Sequence, residues 1–97
     1  MRRAEAVALL TEHKAELEAM GVTSIALFGS VARDEAGPAS DVDVLIDVRR
    51  PFDLFDLAAV HLRLEEIFGR KVDVATEGGM RPKYRARIER DLVHASV

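Results

Sequence analysis

The stretch from Ile25 to Asp47 limits this chain more than any other. An apolar run ends in Gly29-Ser30, ten residues intervene, and a second apolar run opens with Asp41-Val42-Asp43. Strand side chains alternate between faces, so Asp41 and Asp43 project to the same side and hold two charges close together. Such a pair repels itself unless a cation stands between the groups, and hard divalent ions such as Mg²⁺ take oxygen ligands of this kind. At the other end of the stretch, a strand that stops at Gly29 and turns into a short helix from Ser30 offers free backbone N–H groups to an anion. Glycine lets a phosphate come close to the backbone, and the Ser30 hydroxyl adds a donor. A phosphate cradle beside metal-binding carboxylates makes a site for a metal-bound nucleotide.

The rest of the chain frames that stretch. Residues 2–20 read as one amphipathic helix, with Ala6, Leu9, Leu10, His13, Leu17 and Met20 on its apolar side, stopped by Gly21. Residues 23–28 form a short buried strand, and 36–40 a turn-rich loop. From Asp41 to Val48 the pattern alternates strictly, with Val42, Val44, Ile46 and Val48 toward a core and Asp41, Asp43 and a solvated Asp47 toward a cleft. Asp53 caps a helix through about Phe68, with Leu57, Val60, Leu64, Ile67 and Phe68 as its core stripe and Gly69 at its end. Residues 71–76 are a third strand. A strand-helix-strand unit of this length closes as a right-handed parallel crossover, which sets Asp73 beside Asp41 and Asp43. A turn at 77–79, a helix from Pro82 to about Asp91 and a tail at 92–97 that adds a strand or edge complete the chain. The fold class expected is α/β: a single domain over residues 1–97 with a small three- to four-stranded mixed sheet and helices packed around it.

Composition narrows the partners. A net charge of −3 gives no general attraction to nucleic acid or anionic membrane, the absence of cysteine excludes disulfides and thiolate metal sites, and no run approaches the length of a membrane span. A cytoplasmic setting is compatible with this and no secretory signal is read at the N-terminus. Taken alone, an Asp-x-Asp is a solvated strand face and a Gly-Ser a turn. Their conjunction with a third strand aspartate is different, because three unpaired acids on one sheet face destabilise it without a cation. Ser30 has no adjacent base and reads as a phosphate ligand, not a nucleophile. Arg33 can reach either phosphates or a nearby acid. His13, His61 and His94 have no metal or triad partners at a telling spacing and read as structural or exposed.

Gly29-Ser30, ten residues and Asp41-Val42-Asp43 resemble the signature of the DNA polymerase beta-type nucleotidyltransferases, and in particular the minimal nucleotidyltransferases encoded beside HEPN-domain toxins. The resemblance covers nearly the whole chain and implies a polymerase-beta-like core. It implies that Asp41 and Asp43 hold two Mg²⁺ ions on the triphosphate of ATP, that Asp73 completes the metal at the attacking hydroxyl, and that Gly29 and Ser30, with Arg33 nearby, bind the phosphates. Asp34 departs from the pattern, since many relatives have glycine there, and with Glu35 it puts negative charge near the phosphate turn. The resemblance further implies an antitoxin that adds AMP to a tyrosine of a HEPN ribonuclease toxin, the acceptor arriving on that partner protein; the alternative is a non-catalytic antitoxin that neutralises its partner by complex formation. A small-molecule transferase fits less well, for want of an acceptor domain. Phe55 and Leu62, outside the core stripe, and a basic terminal helix with Arg81, Lys83, Arg85, Arg87 and Arg90 are compatible with docking, although each alone also reads as packing under a loop or a solvated face. Direct nucleic-acid binding is not expected, because Tyr84 is the one aromatic among those basic residues.

Overall fold

The structure, a computed structural model, describes residues 1–37 and 40–76 and the backbone of 93–95. The turn at 77–79, the helix from Pro82 with its basic residues and Tyr84, the His94 side chain and the centre of the 36–40 loop lie outside the described residues.

The N-terminal apolar stripe forms two helices instead of the single one expected, α1 (Arg3–Glu12) and α2 (Lys14–Ala19). His13 leaves helical geometry between them, at φ −99° and ψ 11°, and its ring meets Glu16 at 3.0 Å. The break is one residue long and Leu17 N–H still donates to the His13 carbonyl at 3.0 Å, so the stripe keeps its phase and Ala6, Leu10 and Leu17 are all fully buried. Strand β1 (Val22–Phe28) follows, then a single helical turn, α3 (Gly29–Ala32), and β2 (Val42–Val48).

A cis Arg50–Pro51 peptide precedes α4 (Leu54–Phe68), which begins as the sequence predicts. The Asp53 carboxylate accepts the Asp56 N–H at 2.9 Å and the Asp56 carboxylate accepts the Asp53 N–H at 2.9 Å, a reciprocal capping box. Gly69 ends the helix at φ +66°, where a Cβ would be strained. Strand β3 (Val72–Thr76) and, after residues outside the description, β4 (Val93–Ala95) complete a four-stranded mixed sheet in the order β3-β2-β1-β4. The β1 strand runs antiparallel to both β2 and β4, whereas β2 and β3 are parallel, joined by α4 as the crossover. The tail thus adds the strand expected of it, at the edge beside β1.

One face of this sheet carries the core. Val42, Val44 and Ile46 of β2, Ile25 and Leu27 of β1 and Val72 of β3 pack with Leu10 and Leu17 from α1 and α2 and with Val60, Leu64 and Phe68 from α4. Leu57 and Ile67 are partly buried against it, which completes the predicted stripe. Alternation then sends Asp43 and Asp73 to the opposite face.

Candidate active site

Asp43 sits on the central strand β2, and its two neighbours across the sheet define the site. In the antiparallel direction it lies opposite Phe28, the residue before Gly29; in the parallel direction it lies opposite Asp73. The expected crossover therefore brings Asp73 and Asp43 together. Asp41, half-buried, stands on the approach to β2 where Val42 N–H is held by the Lys71 carbonyl at 3.1 Å. Among the described residues no three carboxylate or histidine side chains are gathered tightly enough to hold an ion as they stand; the close pair is Asp43 with Asp73.

The electrostatics mark Asp43 as the strained member. Desolvation pushes its carboxyl up to about 6, aided by the Asp73 charge and hydrogen bond and by the charge of Asp41, with Arg33 pulling the other way. Two facing carboxylates that resist joint ionisation, backed by a third, suit a divalent cation in donor chemistry: all oxygen, all anionic.

Gly29 closes the other side. Its φ is +72°, and a Cβ there would run into the Asp43 carboxylate, lying 3.2 Å from Cγ after the nearer oxygen. Only glycine lets the chain turn with an acid laid over it. The following helix is one turn long, so what it offers an anion is a few individual N–H groups with the half-buried Ser30 hydroxyl beside them, not an extended helix dipole.

The charges around the turn are placed as the sequence alone does not reveal. Arg33 meets the neighbouring acid, with Nε 3.1 Å from the Glu35 carboxylate. Asp34 takes the left-handed backbone at φ +59°, a conformation suited to glycine, and its carboxylate accepts Arg3 N–H at 2.7 Å at the start of α1. Both acids that crowd the phosphate turn in sequence are thus engaged. The Arg3 guanidinium also donates to the Ala32 carbonyl at 3.2 Å, so α1 and α3 hold each other.

Three residues outside the expected site set hold the site in place. His61 Nε2 lies 2.7 Å from the Val72 carbonyl, and the Glu65 carboxylate accepts Val72 N–H at 3.2 Å. These two groups of α4 thereby grip the backbone next to Asp73 on an edge strand, which gives His61 the structural role expected of it. Arg70 reaches across to donate to the Ser40 carbonyl at 3.4 Å, tying down the residue before Asp41. The i,i+4 spacing of His61 and Glu65 was visible, but only the crossover shows that they meet β3. Asp47, as expected, is exposed and merely accepts Val48 N–H at 3.0 Å.

This arrangement of turn, strand carboxylates and crossover has a counterpart in known proteins. A family model described as a nucleotidyltransferase domain matches residues 10–94. The chain belongs to the nucleotidyltransferase family. This nucleotidyltransferase is 40% identical over 88 residues to a Methanocaldococcus jannaschii protein provisionally named a protein adenylyltransferase, a match that spans 89% of this chain and 90% of that one. It is 34% identical over 91 residues to the protein adenylyltransferase MntA of Thermococcus cleftensis, spanning 93% and 92%. Among solved structures, one described provisionally as a minimal nucleotidyltransferase superposes at a TM-score of 0.77 with 33% identity, covering 96% of this chain and 95% of that one. The fold is shared as well, at a TM-score of 0.63 and 16% identity, with a chain from the complex of tri-AMPylated Shewanella oneidensis HEPN toxin with MNT antitoxin, covering 89% and 69%. The enzyme class and minimal-transferase fold expected from the sequence are therefore those of its relatives. Among the described residues no helix is long and apolar enough to cross a membrane.

Proposed function

We propose that this nucleotidyltransferase moves AMP from ATP to a tyrosine hydroxyl of a HEPN-domain toxin partner and serves as that toxin's antitoxin. The observation that carries the reading is the position of Asp43, flanked by Gly29 on one side and Asp73 on the other. It is supported by a relative named protein adenylyltransferase MntA and by a fold shared with a chain from the complex of a tri-AMPylated HEPN toxin with MNT antitoxin.

Gly29 and Ser30 would bind the β- and γ-phosphates through backbone N–H groups and the hydroxyl. Asp41, Asp43 and Asp73 would hold two Mg²⁺ ions, which when bound lower the pKa of the attacking hydroxyl and neutralise charge on departing pyrophosphate. Asp73, at the outer strand, stands nearest an incoming acceptor, while Asp43 lies between acceptor and phosphate sides. Arg33, shared with Glu35, tempers the negative potential at Asp43. The step is a nucleotidyl transfer: the tyrosine oxygen forms a bond to the α-phosphorus, the anhydride bond from that phosphorus to the oxygen bridging to the β-phosphate breaks, pyrophosphate departs, and the tyrosine proton leaves to solvent.

Incubation with labelled ATP, Mg²⁺ and the toxin encoded next door tests this. The expected result is label on the toxin, lost when Asp41→Asn and Asp43→Asn are combined. No label, or label undiminished in that variant, would overturn it. Full protection of cells by the double variant would put simple binding in place of catalysis.

A further inference from the structure

The turn that carries Gly29 and Ser30 is closed partly from outside itself. Its own backbone ends in a Schellman motif, with Asp34 N–H donating to the Val31 carbonyl at 3.1 Å and Glu35 N–H to the Ser30 carbonyl at 2.8 Å. That motif favours glycine at the position of Asp34, whose φ is +59°. The aspartate side chain has a use there that glycine could not serve. Helix α1 starts after Arg2 with no side-chain cap of its own, and the Asp34 carboxylate takes that place from 31 residues away, accepting Arg3 N–H at 2.7 Å. The Arg3 guanidinium donates in return to the Ala32 carbonyl at 3.2 Å. One residue of α1 thus holds the turn on both sides of Arg33, the cation whose charge reaches Asp43.

We infer that Arg3 and Asp34 are positioning residues for the nucleotide: their clamp between α1 and α3 holds the Gly29-Ser30 turn in its phosphate-binding form before ATP arrives. The inference rests on the nucleotide site of the proposed function and adds two residues to it. A helix of four residues does not hold itself, because the first turn fixes more backbone than its few bonds repay. If the turn is formed only part of the time, ATP affinity falls by the fraction formed. The clamp shifts that ordering from the binding step to folding, since α1 is already anchored by its fully buried Ala6 and Leu10. Arg3 and Asp34 are themselves exposed, and surface contacts of this kind add little to the stability of the whole domain. Their effect is local.

The clamp also reverses the sign expected of Asp34. A free carboxylate beside a phosphate turn weakens nucleotide binding by repulsion. Here the carboxylate is spent on the positive end of α1, and its net effect on ATP is favourable through the turn it holds.

Calorimetric titration of the full-length protein with Mg²⁺ and a non-hydrolysable ATP analogue tests this and needs no acceptor. Asp34→Gly relaxes the backbone but removes the cap, so the unfolding midpoint should stay within about 4 °C of the parent while affinity for the analogue falls about fivefold. Arg3→Pro should do the same, because proline suits the first residue of a helix, Arg2 already has the extended backbone that precedes proline (ψ 153°), and both clamp bonds are lost. Combining the two should weaken binding no further than either alone, since both break one contact. Asp34→Asn keeps the left-handed preference and an acceptor oxygen, and should bind no less tightly than the parent. Without nucleotide, the Arg33 and Glu35 amides should lose hydrogen-exchange protection in Asp34→Gly, and saturating analogue should restore it. Tighter binding by Asp34→Gly, binding unchanged in both single variants, or losses that add in the double variant would overturn the inference. A parent that binds no analogue would overturn it together with the nucleotide site, whereas the expected responses without label on the toxin would uphold the clamp and overturn only the transfer of AMP.

Discussion

A methyl group on Gly29 would strike the Asp43 carboxylate and would also have to adopt φ +72°, so two penalties fall on one substitution. Gly29→Ala should lower the unfolding midpoint and remove labelling activity together, read by thermal denaturation and by the ATP assay. Asp43 itself gives a pH test. Its carboxyl is held near 6 in the folded protein against an ordinary 3.8. Well below pH 3.8 it is protonated, folded or not, and costs nothing; at pH 4 most of the penalty is still absent. Between about 4 and 6 the unfolded chain ionises more readily, so folding loses stability as pH rises, and above 6 the whole penalty is present. In chelator, Asp43→Asn should therefore raise the midpoint at pH 7.5 and leave it nearly unchanged at pH 4, and Mg²⁺ should narrow the gap by stabilising the parent alone. Equal midpoints for parent and variant at pH 7.5 would show that Asp43 is not frustrated. These residues also show where sequence reasoning stops. The Gly29-Ser30 and aspartate spacing was readable, but the contact between Gly29 and Asp43 follows from the Phe28 to Asp43 register, which no local pattern encodes.

Among the elements, α4 does most to place the site, because it begins at its own cap, supplies the crossover and grips β3. Asp53→Ala removes half of the capping box and should cost about 1 kcal/mol of stability by urea denaturation, with activity retained in the folded fraction. The grip on β3 should separate activity from stability. His61→Ala frees the Val72 carbonyl and loosens the backbone beside Asp73; labelling should fall severalfold while the unfolding midpoint moves by only a few degrees, and His61→Gln, which keeps a hydrogen-bonding group, should recover part of the rate. If His61→Ala keeps full activity, β2 and Glu65 suffice to position the edge strand. The elements themselves were largely legible: Asp53, Gly69 and the strict alternation of 41–48 carry their own start, stop and facing signals. The break at His13 was not, since the apolar period runs unbroken through it and a one-residue turn leaves that period intact.

In the molecule as a whole, the core occupies one side of a four-stranded sheet, and a domain of this length commands about 5–15 kcal/mol of net stability. Leu64, fully buried where α4 meets the sheet, should therefore be costly to truncate: Leu64→Ala is expected to lose about 2–5 kcal/mol, measured by chemical denaturation, a large share of the total. A loss under about 1 kcal/mol would mean that the interface between α4 and the sheet collapses to fill the space.

Local chemistry settled the strand and helix identities, the capping and turn residues, and the conjunction of Gly29-Ser30 with Asp41 and Asp43, because propensity, period and steric permission act within a few residues. Long-range pairing settled the rest. The parallel register that sets Asp73 against Asp43 and the capture of Asp34 by Arg3 and of Val72 by His61 and Glu65 all depend on which segments lie next to one another in space. That adjacency comes from burying one face of the sheet as a unit, an energy no short window of residues contains.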